Sequence, residues 1–389
     1  MRILFLSAWY PFPPNNGSKL RIYHLLRGLS QAHKVTLLTF TDRSGASVGP
    51  DNDLGIDVQT VPQRVYRPTS LRAIAGLLNP TPRVFVDTYA PQMASLIREE
   101  LRQRPYDLVV ASQWSTAAYA PIFRTVPALF EELELGIFEA KKAHASKLLR
   151  LRHELTIAKL RFYLRRLLGY FQSCSVVSQV ERSLVRQLAP NYQPVEVIPN
   201  CVNLADYRDI HVSPQPETLV FSGSLSYFAN HDAMIWFLRK VYPQVQAQVP
   251  NVKLIITGNH ANLPLPPAHN VTLTGFVDDP RPLMASATVS LAPIRLGGGT
   301  RLKILEAMAL GTPVVATPKG AEGLALRNGE HLLMGDTPEA FAAAVIRLLR
   351  DPVLRRQVAL NALHTLTQEY DWSVVMPRFL QLVDRVAQT

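Results

Sequence analysis

Short runs of β-branched and aliphatic residues alternate along this chain with longer stretches in which apolar positions recur every three to four residues. Residues 2–8, 34–40, 107–112 and 173–178 are short runs rich in β-branched and aliphatic residues and read as buried strands. The same grammar restarts after residue 200, with strands expected at 218–223, 252–258, 271–276, 289–294 and 313–317. Strands separated by helical segments form a parallel sheet with helices on its faces. Two such series predict an α/β chain of two doubly wound, Rossmann-like domains. Between them, Val197-Ile-Pro-Asn-Cys-Val-Asn-Leu-Ala-Asp206 runs into a polar, Pro-containing stretch ending at Pro216, which has a linker's composition and places the boundary near Asn200. Thr337-Pro-Glu-Ala and Asp351-Pro-Val-Leu are helix starts, each a capping side chain followed by proline in the first turn.

Length agrees with that division: 389 residues at 47% hydrophobic content can bury two cores. Cys174 and Cys201, the only cysteines, make neither a disulfide framework nor a metal-ligand spacing and fit a reducing, cytoplasmic setting. The apolar start of the chain resembles a signal peptide only superficially, since Pro11, Pro13 and Pro14 stand where a small-residue cleavage site would be. No window reaches the eighteen apolar residues of a membrane span, so a soluble or peripheral protein is expected, the latter on the cytoplasmic membrane face. The net charge of +11 favours a polyanionic partner without choosing among nucleotide, anionic lipid and nucleic acid.

The strongest chemical signal lies after the strand at 289–294. Gly297, Gly298 and Gly299 lead to Thr300 as an N-cap and to a helix from Arg301 to Leu310, closed by Gly311. A glycine loop running into a helix brings backbone N–H groups up to a phosphate that the helix dipole also favours. Arg301 and Lys303 then break a local rule, because cations in a first turn oppose the dipole by roughly 0.3–1 kcal/mol each. A bound diphosphate reverses that sign. Glu306, on nearly the same face as Lys303 in an otherwise apolar helix, is either paired with that lysine or free to accept hydrogen bonds from ribose hydroxyls.

The run Gly299-Thr-Arg-Leu-Lys-Ile-Leu-Glu-Ala-Met-Ala-Leu-Gly-Thr-Pro-Val-Val-Ala316 resembles the retaining, GT-B fold glycosyltransferases of family 4. Val197-Ile-Pro-Asn-Cys-Val-Asn203 is similar to that family's inter-domain segment, Thr274-Gly-Phe-Val277 to its base-binding turn, and Gly320-Ala-Glu-Gly323 to the turn after the next strand. The resemblance implies two Rossmann-like domains facing across a cleft: an acceptor domain at 1–199, a nucleotide-sugar domain at 200–366, and a C-terminal helix at 367–389 returning to the first. It implies transfer of a hexose from a UDP- or GDP-sugar to a glycan, lipid-linked or small-molecule acceptor hydroxyl, with retention, in cell-surface polysaccharide or glycolipid synthesis. The nucleotide-sugar is a co-substrate, and neither cofactor nor metal is expected.

Two departures from the family pattern stand out. Glu306 matches the second of a glutamate pair, the one expected to bind the donor ribose, but Gly298 occupies the position of the first. The turn Phe221-Ser-Gly-Ser-Leu-Ser-Tyr-Phe-Ala-Asn230 lacks the arginine and lysine often set against the diphosphate, so Arg301 and Lys303 are expected to supply that charge from the opposite loop. Gly223, Ser224, Asn230, Gly258, Phe276 and Val277 complete the expected donor site. Asp51-Asn-Asp53 spells the D-x-D of metal-dependent glycosyltransferases, but it lies in a turn-rich loop of the first domain and reads as chance.

In the first domain, Pro11-Phe-Pro-Pro-Asn-Asn-Gly17 precedes Ser18, expected as an N-cap, and a helix with Lys19 and Arg21 in its first turn. By resemblance Gly17, Ser18 and Arg21 face the donor phosphates. Glu131, Glu132 and Glu134 follow the strand at 127–130, where the family sets a polar residue, often His, at the face of acceptor attack. His24 and His33 read as surface or core. Residues 141–166 hold nine Lys/Arg and one acid, Glu154, on a Leu-rich helical stretch. Contact with an anionic membrane surface and a solvated basic helix both fit it, and residues 62–83 are a second contributor to such a surface. Two rival readings remain: a nucleotide-sugar epimerase or oxidoreductase, for which G-x-G-x-x-G after the first strand is missing, and a basic polyanion- or nucleic-acid-binding protein, for which no module appears. Nucleic acid is not expected as a partner.

Overall fold

The computed structural model describes residues 1–41, 52–135, 147–299 and 301–389, and within these the side chains of 147–153 are left aside. It divides into two compact units, Met1–Pro199 with Met376–Thr389, and Asn200–Val375. The first holds a sheet of β1 (Arg2–Ser7), β2 (Lys34–Thr41), β3 (Asp57–Pro62), β4 (Leu108–Ser112), β5 (Ala128–Glu131), β6 (Ser173–Val176) and β7 (Val195–Val197), in the order β3-β2-β1-β4-β5-β6-β7. The second holds β8 (Thr218–Ser222), β9 (Lys253–Thr257), β10 (Val271–Gly275), β11 (Val289–Ala292), β12 (Val314–Ala316) and β13 (Leu333–Met334), in the order β10-β9-β8-β11-β12-β13. Every strand pair in both sheets is parallel.

Helices cover both faces, so central strands lose water on each side: β4, β5, β6, β11 and β12 are buried at every residue. The edge strands β3 and β10 are largely accessible. In each unit the strand order reverses once, between β1 and β4 and between β8 and β11. Adjacent connections leave in opposite directions there, opening a crevice at the carboxyl ends of the strands.

The signals at 337 and 351 are realised: Thr337 accepts a hydrogen bond from the Ala340 amide (3.2 Å) and Asp351 one from Leu354 (2.9 Å). The first helix, Gly17–Ala32, corrects the expected cap. Asn16, not Ser18, occupies that position and accepts from the Lys19 amide at 3.1 Å, because its carboxamide reaches the N3 donor and leaves Gly17 and Ser18 inside the first turn. The last helix, Trp372–Ala387, packs on Gly17–Ala32 through Met376 so closely that a Cβ on Gly28 would lie 2.1 Å from Met376 Sδ. Cys174 and Cys201 are both free and buried. No helix among the described residues is long and apolar enough to cross a membrane.

Candidate active site

In the second unit, β11 delivers the chain to the reversal point and into the glycine loop. Gly297 and Gly299 have φ of 89° and 78°, values that favour glycine, and a Cβ on Gly297 would stand 2.6 Å from the Tyr227 hydroxyl. The helix that follows spans Leu302–Ala309 with Arg301 at its cap and no side-chain capping bond; Thr300, expected as the cap and as a donor contact, lies outside the described residues. Arg301 folds back on its own loop, donating from Nη1 to the Gly298 carbonyl (2.7 Å) and from Nη2 to that of Leu296 (3.2 Å). Its buried Nε has no partner among the described residues. Arg301 thus clamps the glycine loop and keeps its positive charge beside it.

Lys303 is placed differently. Its Nζ donates to Asn230 Oδ1 at 3.1 Å and lies 3.9 Å from the centre of the Phe221 ring. Asn230 is fixed in turn by donating from Nδ2 to the Ser224 carbonyl (2.8 Å). Burial, with help from Arg301, pulls the Lys303 ammonium down to about 7, and Glu306 opposes the fall. Two glycines make room for this arrangement. A Cβ on Gly223 (φ 145°) would lie 2.8 Å from Lys303 Nζ, and one on Gly258 (φ 126°) 2.6 Å from the Gly223 backbone.

Glu306 forms no ion pair with Lys303, whose ammonium is engaged by Asn230. Its carboxylate makes no hydrogen bond among the described residues, and burial raises it against the pull of Lys303 and Arg281. Arg281 is already forked onto Asp279, at 2.8 and 2.9 Å. Phe276 leaves β10 with its ring 65% exposed and Val277 half-buried beside it. The glycine loop and the helix after it thus carry a half-buried amine and a half-buried carboxylate that has no hydrogen-bond partner among the described residues.

In the first unit the same crevice holds a cavity of about 420 Å³, lined by Trp9, Ser18, Gln113, Trp114, Glu132 and Glu134 among others. Arg21 does not reach it. That guanidinium is buried, donating to Glu131 Oε1 (2.8 Å) and to the carbonyls of Pro199 (3.1 Å) and Ile198 (3.0 Å), while Glu131 accepts Ser112 Oγ on its other oxygen (2.7 Å). Arg21 and Glu131, expected to meet substrate, are an internal tie between the first helix, β5 and the end of β7. A buried guanidinium needs both a countercharge and carbonyl acceptors, and this position supplies them. Gly17 sits in the first helical turn and is not among the lining residues.

Glu132 faces the cavity instead, with Oε2 accepting the Gln113 carboxamide at 2.7 Å. Burial and the neighbouring Glu131 push its carboxyl up to about 8, with Arg21 opposing. Gln113 and Glu132 both carry positive φ, 69° and 56°, costly for non-glycine residues and concentrated at functional sites. Gln113 was missed by the sequence reading, although its place directly after the strand at 107–112 was a usable signal. Of the D-x-D pattern, Asp51 lies outside the described residues and Asp53 accepts the Tyr23 hydroxyl (2.6 Å). The basic stretch is a helix over Lys147–Leu168; residues 141–146 lie outside the described residues. His24 is buried and His33 sits 4.0 Å from Asp384, away from the lining of the cavity.

Two family models divide the chain as its two sheets do: a glycosyl transferase 4-like domain over residues 16–201 and glycosyl transferases group 1 over residues 216–351. The chain belongs to the group 1 glycosyltransferases. Among curated relatives of this glycosyltransferase chain, an uncharacterized 44.6 kDa protein in the cps region of Klebsiella pneumoniae is 27% identical over 39% of this chain and 42% of its own. A phosphatidyl-myo-inositol mannosyltransferase of Mycobacterium leprae is 40% identical over 30% of this chain and 32% of its own. The chain thus matches less than half the length of these relatives. Among solved structures, sucrose-phosphate synthase from Thermosynechococcus elongatus superposes with a TM-score of 0.72 at 19% identity, covering 99% of this chain and 98% of that one. HepE from Anabaena, solved with UDP and glucose, gives 0.68 at 17% identity over 99% and 100%. At such identities these neighbours show the fold, two Rossmann-like units of GT-B type. For this glycosyltransferase the epimerase and polyanion-binding readings fall away.

Proposed function

We propose that the chain transfers a hexose, with retention, from a UDP- or GDP-sugar to a hydroxyl of a glycan or lipid-linked acceptor in cell-surface polysaccharide or glycolipid synthesis. The observation that carries this reading is the second unit's glycine loop at the sheet's reversal point, with Lys303 beneath it and Glu306 one helical turn on. Gly297, Gly298 and Gly299 and the helix start bind the diphosphate, Glu306 accepts the ribose hydroxyls, and Phe276 and Val277 meet the base. The mannosyltransferase and HepE likenesses, one named for a lipid and one holding UDP, support the same reading. As the glycosidic bond breaks, negative charge builds on the leaving diphosphate. Lys303 answers it by taking up a proton, which the arriving anion makes favourable, and the helix dipole adds to it.

On the first unit, the protonated Glu132, positioned by Gln113, hydrogen-bonds the acceptor hydroxyl or the donor sugar, with Glu134 beside it. The basic helix Lys147–Leu168 supports a contact with an anionic membrane surface, with its exposed Leu155 (65%) as an apolar foot. A thermal-shift screen of UDP, GDP and ADP tests the donor site: one diphosphate raises Tm at millimolar concentration, with EDTA present or absent. No shift from any of the three would overturn the reading.

A further inference from the structure

The first unit contains a second cavity, of about 380 Å³, that shares Phe85, Tyr89 and Ala118 with the first. Phe85, on the short helix Arg83–Thr88, is the middle ring of a stack: Trp114 lies 5.7 Å away at 18° and Tyr163 5.3 Å away at 24°. Trp114 lines the first cavity and Tyr163 the second, so Phe85, with Tyr89 and Ala118, forms the wall common to both. The remaining wall is apolar and aromatic, from Phe162, Leu167 and Tyr170, with two cations on the lining, Arg72 and Arg166. Neither guanidinium has a hydrogen bond or ion pair among the described residues.

The surface beside it is unusually apolar. Leu71 is 86% exposed, Leu77 58%, Leu78 96% and Phe162 60%. Lys159 Nζ donates to the carbonyls of Gly76 (2.8 Å) and Leu77 (3.2 Å), which ties this leucine segment to the helix that carries Phe162 and Arg166. Scattered exposed leucines are ordinary, but several gathered around the mouth of an aromatic cavity mark a binding surface. Arg72 is half-buried and Arg166 exposed on this lining, and forked guanidinium donors of this kind select phosphate over an uncharged head.

We propose that the second cavity is the subsite for the lipid part of the acceptor, a phosphate-bearing amphiphile drawn from a bilayer. Its chain lies among Phe162, Tyr163, Leu167 and Tyr170, its phosphate bridges Arg72 and Arg166, and its hydroxyl-bearing head passes Phe85 into the cavity of Glu132. This rests on the reading that the first unit takes the acceptor, and it narrows that acceptor to a lipid phosphate.

The test uses the full chain and three probes: dodecyl phosphate and dodecyl maltoside below their micellar concentrations, and inorganic phosphate. Binding is followed by thermal shift and by tryptophan fluorescence, which Trp114 reports from its stack on Phe85. Dodecyl phosphate is expected to bind saturably and at least tenfold more tightly than dodecyl maltoside, with inorganic phosphate silent at the same concentration. The double variant Arg72→Gln/Arg166→Gln erases that preference and keeps the nucleotide-induced shift. Equal binding of the two amphiphiles, or a preference that survives the double variant, overturns the proposal. So does a dimer that Leu77→Asp/Leu78→Asp converts to monomer in a chain that binds no dodecyl phosphate, since a second copy would then cover the patch. Failure of the donor reading looks different: no nucleotide shift, with alkyl phosphate binding intact.

Discussion

Replacing Lys303 with methionine separates what the site does for stability from what it does for binding. The amine ionises at about 7 instead of an ordinary lysine's 10.5, chiefly because burial strips its water. At about 1.4 kcal/mol per pH unit, holding that ammonium charged in the folded protein below pH 7 costs roughly 5 kcal/mol at most. The side chain is half-buried, so water recovers much of this, and methionine leaves Asn230 Oδ1 without its donor at a cost of about 1 kcal/mol. The net expectation is a ligand-free Lys303→Met protein more stable by about 1–2 kcal/mol at pH 6.5, or a few degrees in Tm. The sign reverses with alkali. Folded Lys303 loses its proton near 7 and unfolded lysine near 10.5, so wild-type stability rises through that window and the variant's advantage disappears. Nucleotide binding moves the other way: losing one charge-assisted phosphate contact weakens UDP or GDP by roughly 10–100-fold. Calorimetric and thermal-shift measurements at pH 6.5 and 9.5 check both halves. A variant less stable than wild type at pH 6.5, or one with an undiminished nucleotide shift, would refute the reasoning.

Glu306→Ala removes a carboxylate that no hydrogen bond among the described residues uses, so Tm should change little while nucleotide affinity drops about tenfold or more; a large loss of stability with unchanged affinity would make Glu306 structural. Gly223→Ala puts a methyl where Lys303 Nζ and Asn230 stand, at a φ of 145°, and is expected to destabilise by about 1–3 kcal/mol and to abolish the nucleotide shift; calorimetry with and without ligand reads both. Glu132→Gln should flatten the pH dependence of stability. A carboxyl raised to about 8 from an ordinary 4.5 makes wild-type stability fall as pH rises between those values. The glutamine variant's Tm, relative to wild type, should therefore be higher at pH 8 than at pH 5, and a constant difference would contradict the assigned shift.

Much of the fold was legible because parallel strands covered on both faces leave continuous apolar runs, and β4, β11 and β12 each fall inside one. The edge strand β3, only partly buried, and the two-residue β13 leave no such run, and their places in the sheets come from pairing with β2 and β12. The glycine loop after β11 was legible as a loop through Gly297 and Gly299, whose φ values are positive, and the cations beside it stood out against the helix dipole. The cap of the first helix was misread by two positions, since Asn16 and Ser18 are both competent capping residues and only backbone geometry chooses between them. Gln113 carries no composition signal, and its importance comes from a strained φ and a contact with a residue 19 positions away.

A cation near a helix start appears in both units and means different things in each: Lys303 is the second residue of its helix, whereas the cap at Asn16 puts Arg21 one turn in. At Lys303 the anomaly stays open: the amine touches a neutral carboxamide and an aromatic face, makes no ion pair with a carboxylate among the described residues, and sits low enough in basicity to gain a proton when an anion arrives. At Arg21 a buried partner resolves it, because Glu131 accepts the guanidinium and two carbonyls complete its hydrogen bonds. Sequence shows the cation and the helix start in either case. The position of the countercharge is tertiary information, for Glu131 is 110 residues from Arg21. An arginine is always charged and takes a bidentate countercharge well, whereas a lysine can give up its proton when buried and recover it on demand. That difference suits Arg21 to holding the first unit together and Lys303 to answering a charge that appears only when the donor is bound.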